Sequence, residues 1–128
     1  MPRKVLIFGA GASGRGHVGQ LALESGYEVA FGESIGEFLA MVGGEGAIAV
    51  QVGGPSGTCI GPAQFDRHIA FEDLATGGSM MVFGPGRDMV QVAAWFMDFF
   101  VHESCGWCTP CRAGNVLIRE RLRRILDG

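Results

Sequence analysis

The sequence predicts an α+β fold that starts with a strand, a glycine-rich turn and a helix, continues as a small sheet and ends in helices. The apolar run Lys4–Phe8 leads into glycines and then into apolar residues at helical spacing. Short β-rich runs separated by glycine turns follow as far as residue 86. Apolar residues at helical spacing return between residues 88 and 126, so the helical part of the chain is predicted to come last.

The composition fits a folded protein with a hydrophobic core. Of the 128 residues 48% are hydrophobic, and the 22 glycines follow no fixed period. A net charge of −3 gives no general attraction to nucleic acid. No apolar run is long enough to cross a bilayer, and the first one is too short for a signal peptide. We therefore expect no nucleic-acid partner, no membrane insertion and a cytoplasmic protein with reduced thiols.

The first turn has the glycine spacing of a dinucleotide-binding site. A G-x-G-x-x-G pattern stands between the first strand and a helix that is expected to end at Gly26. A second strand, Tyr27–Phe31, leads to an acid about twenty residues past the turn, where a ribose would be bound. In this Rossmann-like βαβ start, the residues that would bind NAD are Gly9, Gly11, Gly14 and Glu33.

The segment Phe8–Gly19 resembles the opening of the mannitol-1-phosphate and related mannitol dehydrogenases. The resemblance is confined to the start of the chain, and the family's later strands and catalytic lysine region have no counterpart here. A single βα unit does not enclose both halves of NAD. The alternative is that the glycine turn only packs the first helix, and this structural role is favoured over NAD binding.

A second helix and several strands are predicted next. Ser34 and Glu37 form a capping-box pattern, and the helix that follows should end at the glycine pair 43–44. Strand, helix and further strands suggest a small mixed sheet with one helix packed across it. The strands are predicted at Ala47–Val52, His68–Phe71 and Ser79–Phe83, with a glycine loop from Gly53 to Cys59.

Two helices are predicted in the last third of the chain. Asp88 is expected to cap the first, whose buried stripe would contain Val92, Trp95 or Phe96, Phe99 and Phe100. The second is expected at residues 116–126, with Glu120 and Arg124 paired one turn apart. Its inward residues would be Ile118, Leu122, Ile125 and Leu126.

The most informative pattern is the C-x-x-C-x-x-C run formed by Cys105, Cys108 and Cys111. Two intervening residues allow the three thiolates to surround one compact centre. Zinc sites usually bring cysteines in two separated pairs, whereas a three-thiolate run with a distant fourth ligand is typical of iron–sulfur proteins. We therefore favour an iron–sulfur cluster, with zinc and unligated structural or redox thiols as alternatives. Gly106 fits the tight turn that such a loop needs.

The spacing of the cysteines does not identify the fourth ligand of the cluster. No cysteine follows Cys111, so either Cys59 completes the site or the ligand lies beyond the end of this sequence. His102, His68 and water are weaker candidates. Cys59 also fits a small thiol buried in a loop, which is the favoured interpretation.

Five ordered motifs stand out in the rest of the chain: Gly53–Gly57, Phe71–Leu74, Gly77–Met80, Val82–Gly86 and Glu103–Arg112. Together they resemble the C-terminal half of the NADH-oxidising flavoprotein subunit of respiratory complex I. The resemblance is closer still to the diaphorase flavoprotein of NAD-reducing hydrogenases and NAD-linked formate dehydrogenases, and it runs from about residue 26 to residue 128. It implies a β-grasp domain of the soluble-ligand-binding (SLBB) type followed by a helical 4Fe–4S domain that takes electrons from flavin.

The same resemblance implies roles for particular residues and partners. It makes Cys105, Cys108 and Cys111 the ligands of a 4Fe–4S cluster and places the fourth cysteine further along than this sequence runs. The family's FMN and NADH pocket lies upstream of the β-grasp domain in a region this sequence lacks, so the chain alone is not expected to oxidise NADH. Expected partners are other redox subunits of a hydrogenase, formate dehydrogenase or complex I-like assembly.

The predicted organisation is a Rossmann-like start at 1–33, a β-grasp domain at 34–86 and a helical iron–sulfur segment at 87–128. The leading function is an electron-transfer module. The alternatives are an NAD-binding dehydrogenase fragment and a subunit-interaction domain whose cysteines hold no cluster.

Overall fold

The structure, a computed structural model, describes residues 4–8, 19–32, 34–70 and 72–128. The chain divides into two compact units, Met1–Pro85 and Gly86–Gly128. The first holds strands and short helices and the second is helical, which confirms the predicted α+β class; the division into three domains stays a prediction. The elements in order are β1 Lys4–Phe8, α1 Gly19–Glu24, β2 Glu28–Gly32, α2 Ile35–Val42, β3 Ala49–Val52, β4 Thr58–Ile60, a 3₁₀ turn Pro62–Gln64, β5 Met80–Phe83, α3 Met89–Glu103, a π-helical turn Pro110–Gly114 and α4 Asn115–Asp127.

The predicted strand–helix–strand start is present. β1 and β2 pair in parallel, from Lys4 opposite Glu28 to Phe8 opposite Gly32, and α1 lies between them in the chain. Helix α1 ends where Gly26 takes a positive φ of 77°, a conformation that glycine adopts without strain. The two strands form a sheet of their own, separate from the three-stranded sheet that follows.

Helix α2 begins at the predicted capping box. The Ser34 hydroxyl accepts a hydrogen bond from the Glu37 backbone N–H at 3.2 Å, and the Glu37 carboxylate accepts one from the Ser34 N–H at 3.1 Å. The helix ends at Gly43, whose φ of 70° gives the left-handed cap. Both ends of α2 therefore follow from its local sequence.

The three-stranded sheet is antiparallel in the order β4–β3–β5. Strand β4 lies where the sequence predicted only a glycine loop. His68–Phe71 was predicted as a strand, and this is wrong for the described residues: His68 forms one isolated bridge with Ser34. The predicted mixed sheet is thus present as a parallel pair and a separate antiparallel sheet.

The core of the N-terminal unit lies between α2 and the three-stranded sheet. Ile35 from the helix and Val50 from the central strand are completely buried, and the Gln51 amide donates to the Gly54 carbonyl at 2.7 Å. This burial of aliphatic side chains stabilises the unit. The cluster consists of Ile35, Phe38, Leu39, Ala47, Val50, Val52, Ile60, Ile69 and Leu74.

The C-terminal unit is built from α3 and α4. The Asp88 carboxylate caps α3 as predicted by accepting from the backbone N–H of Val90 at 2.8 Å and of Gln91 at 3.3 Å. Asp98 on α3 accepts from Arg123 on α4 at 2.7 Å, and this bond ties the two helices together.

The predicted apolar stripes of these helices are only partly buried. Val92 is buried, but Trp95 and Phe99 are 53% and 51% exposed, and on α4 Ile118 and Ile125 are also exposed. The spacing of the apolar residues correctly predicted that both segments are helical. It does not predict how much of each apolar face is covered by other described residues.

Candidate metal centre

The three cysteines lie on the connection between α3 and α4. Helix α3 ends at Glu103, and Ser104 leaves the helix with an extended backbone (φ −64°, ψ 125°). Cys105 and Cys108 lie in the short loop that follows, and Cys111 lies in the π-helical turn that leads into α4. π-Turns interrupt regular helices and are frequent at functional sites. One short connection thus carries all three thiols.

Gly106 turns this loop between the first two cysteines. Its φ of 74° lies in the left-handed region, and no atom lies within 4 Å of the position of an added Cβ, so the backbone conformation rather than lack of space favours glycine. The Gly106 N–H donates to the Ser104 hydroxyl at 3.2 Å, and its carbonyl accepts from Arg112 Nη1 at 3.3 Å. Ser104 and Arg112 therefore hold the turn from both sides.

The sulfur of Cys111 has two polar neighbours. The Ser104 hydroxyl lies 3.2 Å from Cys111 Sγ, and Asn115 Nδ2 donates to the same sulfur at 3.3 Å. Sequence reasoning missed both residues as parts of the site. Asn115 stands four positions after Cys111, a spacing that places two side chains on one face of a helical turn, so this signal was available. Ser104 had no comparable local signal.

All three thiols are free and exposed. Among the residues that the structure describes, no three His, Cys, Asp or Glu side chains gather closely enough to hold one metal ion. This arrangement does not fit a preformed zinc site, which needs its ligands around one atom. In a 4Fe–4S cluster each cysteine binds a different iron, and three thiols at short intervals in one connection match the donor set of that group in their chemistry.

The other candidate ligands have different surroundings. His102 Nδ1 contacts the Glu103 carboxylate at 2.8 Å. Cys59 lies on β4 in the N-terminal unit, whereas the three spaced cysteines belong to the C-terminal unit. Partial burial raises the pKa of the Cys59 thiol, which disfavours the thiolate that binds metals. Cys59 is exposed on a strand, so the expectation of a small thiol buried in a loop is wrong, although its raised pKa disfavours a role as a metal ligand.

The predicted NAD-binding residues cannot be placed beside this centre. Gly9, Gly11, Gly14 and Glu33 all lie outside the described residues. Their role stays a prediction.

Comparison with known proteins defines the class of the cysteine region. Residues 91–128 match the family model described as the NADH-ubiquinone oxidoreductase-F iron-sulfur binding region. The C-terminal part of this chain is therefore an iron–sulfur binding region of that family, and the family implies a 4Fe–4S cluster.

Three curated proteins are similar in sequence to most of this chain. The NAD-reducing hydrogenase HoxS subunit alpha of Cupriavidus necator is 45% identical over 80% of the chain, and the NADP-reducing hydrogenase subunit HndC of Solidesulfovibrio fructosivorans is 39% identical over 79%. An NADH-quinone oxidoreductase subunit of Rhizobium meliloti is 34% identical over 86%. The chain spans only 17%, 23% and 29% of the lengths of these three relatives.

Solved structures agree with these relatives. The NAD⁺-reducing [NiFe]-hydrogenase in its air-oxidised state matches with a TM-score of 0.69 and 43% identity over 75% of this chain and 18% of that chain. The H₂-reduced state matches with a TM-score of 0.70 at the same identity, over 75% of this chain and 17% of that chain. These matches confirm the predicted relationship to the diaphorase-type flavoprotein subunits. Within the described part of the chain, no helix is long and apolar enough to span a membrane.

Proposed function

We propose that this chain is the iron–sulfur electron-transfer module of an NADH dehydrogenase or hydrogenase-diaphorase-type flavoprotein subunit. Cys105, Cys108 and Cys111 ligate its 4Fe–4S cluster. One observation carries the proposal: three free, exposed thiols occupy a single connection inside the region that matches the iron–sulfur family model. When bound, such a cluster takes up and releases one electron at a time.

The chain's own residues shape the place where the cluster binds. Gly106 allows the loop to turn between the first two ligands, and Ser104 and Arg112 fix that turn by hydrogen bonds to its backbone. The guanidinium of Arg112 bonds to the Gly106 carbonyl, between the first two cysteines, and so brings to this loop a positive charge that offsets part of the negative charge of the thiolates. Helices α3 and α4 fix the two ends of the connection.

The relatives suggest the source and the destination of the electrons. Their names describe subunits of NAD-reducing and NADP-reducing hydrogenases and of NADH-quinone oxidoreductase. By analogy with the NADH-quinone oxidoreductase subunit, the module relays electrons derived from NADH to a further redox subunit of such an assembly. In the NAD-reducing and NADP-reducing hydrogenases, the names imply electron flow towards the nucleotide. Four unpaired cysteines fit a reducing compartment, and the cytoplasm is the proposed location.

Reconstitution tests the proposal. The purified chain is treated anaerobically with iron, sulfide and a small thiol that can supply a fourth ligand, and bound iron and sulfide are measured. We expect about four of each per chain and a broad visible absorption that bleaches on reduction with dithionite. Cys108→Ser should lose most of the bound iron, whereas the matched control Cys59→Ser should keep it. A wild-type chain that remains colourless or binds only zinc would reject the proposal.

A second candidate, NAD binding near Gly9, Gly11, Gly14 and Glu33, is favoured by one observation. β1, α1 and β2 form the parallel strand–helix–strand unit that begins dinucleotide-binding folds. Calorimetric titration of the chain with NAD and with NADH tests this candidate. Absence of heat and of any thermal shift at saturating concentrations would remove it.

A further inference from the structure

We propose that Ser104 and Asn115 raise the reduction potential of the cluster by donating hydrogen bonds to the sulfur of Cys111. This inference rests on the proposed function, because it concerns the ligand that Cys111 supplies. The two side chains act through Cys111 and are positioning residues; neither of them is a ligand in this proposal. Ser104 lies in the connection that carries the thiols, and Asn115 is the first residue of α4.

The direction of each hydrogen bond follows from its surroundings. Asn115 approaches the sulfur with its amide nitrogen, which carries only donor hydrogens. At Ser104, the backbone N–H of Gly106 already donates to the hydroxyl oxygen at 3.2 Å. A thiolate ligand has no hydrogen to donate, so the Ser104 hydroxyl, 3.2 Å from Cys111 Sγ, is the donor when Cys111 binds the cluster. Cys111 thus receives two donors.

The backbone holds both donors in place. The N–H of Asn115 bonds to the Cys111 carbonyl, so the amide side chain starts from the same helical turn as the sulfur that it contacts. Ser104 is held by its bond from Gly106. Both donors belong to half-buried residues, while Cys111 and its two hydrogen bonds lie at the exposed surface of the connection.

The other two cysteines differ from Cys111. Among the described residues, no hydrogen bond reaches the sulfur of Cys105 or Cys108. Of the three proposed ligands, Cys111 is therefore the one whose sulfur forms hydrogen bonds with described side chains. This makes Asn115 and Ser104 the positions at which a small change in the protein would change the cluster's potential without removing a ligand.

The physical effect has a definite sign. One-electron reduction adds negative charge to the cluster and its thiolates, and a donor hydrogen bond stabilises the more negative form more strongly. Donors to the ligand sulfurs therefore raise the potential, and their removal lowers it. Because both donors contact the sulfur directly, the effect should persist at high salt, unlike that of a distant surface charge.

Redox titration of the reconstituted chain tests this inference. The midpoint potential is followed by EPR for the wild type and for Asn115→Leu, which removes the donor and keeps a similar size. Asn115→Asp, which puts a carboxylate in place of the amide, is the second variant. Thr109→Val is the matched control, because it removes an exposed hydroxyl from the same connection that makes no hydrogen bond within the described residues.

We expect Asn115→Leu to make the cluster about tenfold harder to reduce, which corresponds to about 59 mV for a one-electron couple. Asn115→Asp should shift the potential at least as far in the same direction, and Thr109→Val should leave it close to the wild-type value. Ser104→Ala should lower the potential, and Ser104→Thr should restore most of it by keeping the hydroxyl.

Three outcomes would contradict this inference, and they separate its failure from failure of the proposed function. Loaded Asn115 variants with the wild-type potential would overturn this inference and leave the proposed function intact. Asn115 variants that bind no iron, beside a loaded Thr109→Val control, would also overturn it, because Asn115 would then be needed for assembly. A wild-type chain that binds no cluster would instead end the proposed function, and this inference with it.

Discussion

Asp73 shows how a single side chain fixes the segment between the 3₁₀ turn and β5. Its carboxylate accepts from the Arg67 guanidinium, including Nε at 2.8 Å, and from the His68 backbone N–H at 2.9 Å. The hydrogen bond from Arg67 is the main cause that lowers the pKa of Asp73 below its ordinary value, and the bond from His68 adds to it.

The first prediction is that Asp73→Asn lowers stability at neutral pH. Because the pKa of Asp73 is lower in the folded protein, the ionised form stabilises the fold above the ordinary pKa of 3.8. That contribution is lost as pH falls from this value through the lower folded pKa. Denaturant unfolding between pH 7 and pH 2 should therefore show a difference between wild type and variant that shrinks in acid.

The control for Asp73 is its exposed neighbour Glu72, whose side chain makes no hydrogen bond among the described residues. Glu72→Gln should leave unfolding unchanged across the same pH range. An Asp73→Asn difference that stays constant down to pH 2 would contradict the assigned cause.

Glycine is required at residue 57 because the backbone of Val52 comes too close to leave room for a side chain. Gly57 lies in the turn between β3 and β4, where its N–H donates to the Gly54 carbonyl at 3.0 Å. A Cβ at this position would overlap the carbonyl oxygen of Val52. We predict that Gly57→Ala destabilises the protein by about 1–3 kcal/mol in denaturant unfolding.

Gly61 provides the matched control for Gly57, because an added Cβ there meets no atom within 4 Å and its φ is −100°. Gly61→Ala should change the free energy of unfolding by less than about 1 kcal/mol. Equal losses in the two alanine variants would show that the Val52 contact is not the reason for glycine at residue 57.

At the scale of elements, local sequence predicted the parts of the fold that carry their own signals. Helix α2 was found from the pair Ser34 and Glu37, and α3 from Asp88, because these side chains bond to the backbone of their own helix. Strand β4 was missed because it has only three residues beside a glycine-rich turn, and its pairing with β3 is not local.

The sequence predicted the cysteines of the candidate site but not the residues that contact them. The spacing of the three cysteines predicted the candidate site, since thiolates at short intervals are typical of iron–sulfur proteins, and their role as ligands stays a prediction. The neighbours of Cys111 were not identified, because the contact of Ser104 depends on how the connection folds back between α3 and the π-turn. Of the alternatives Trp95 and Phe96, Phe96 is the half-buried one, whereas the predicted burial of Phe99 was wrong. Periodicity predicts which residues share a helix face but not what covers that face.

A prediction at this scale concerns the start of α2. Ser34→Ala removes the hydroxyl that accepts from the Glu37 N–H, and it should cost about 1 kcal/mol of unfolding free energy. Thermal or denaturant unfolding measures this loss. Ser56→Ala serves as control, because Ser56 is exposed in a turn and makes no hydrogen bond within the described ranges. A Ser34→Ala protein as stable as Ser56→Ala would contradict the cap.

At the scale of the whole molecule, the two units differ in what they contribute. The described core of the N-terminal unit is an α2-and-sheet cluster. The C-terminal unit carries the matched iron–sulfur region and all three spaced cysteines. The proposed electron-transfer role therefore depends on whether Cys105, Cys108 and Cys111 together hold a cluster.

The EPR spectrum of the reconstituted, dithionite-reduced chain tests that role most directly. We predict a one-electron signal of a reduced 4Fe–4S cluster, present in Cys59→Ser and lost in each of Cys105→Ser, Cys108→Ser and Cys111→Ser. A spectrum without this signal in the wild type, or a signal of equal strength after replacement of any of the three cysteines, would contradict the proposed role.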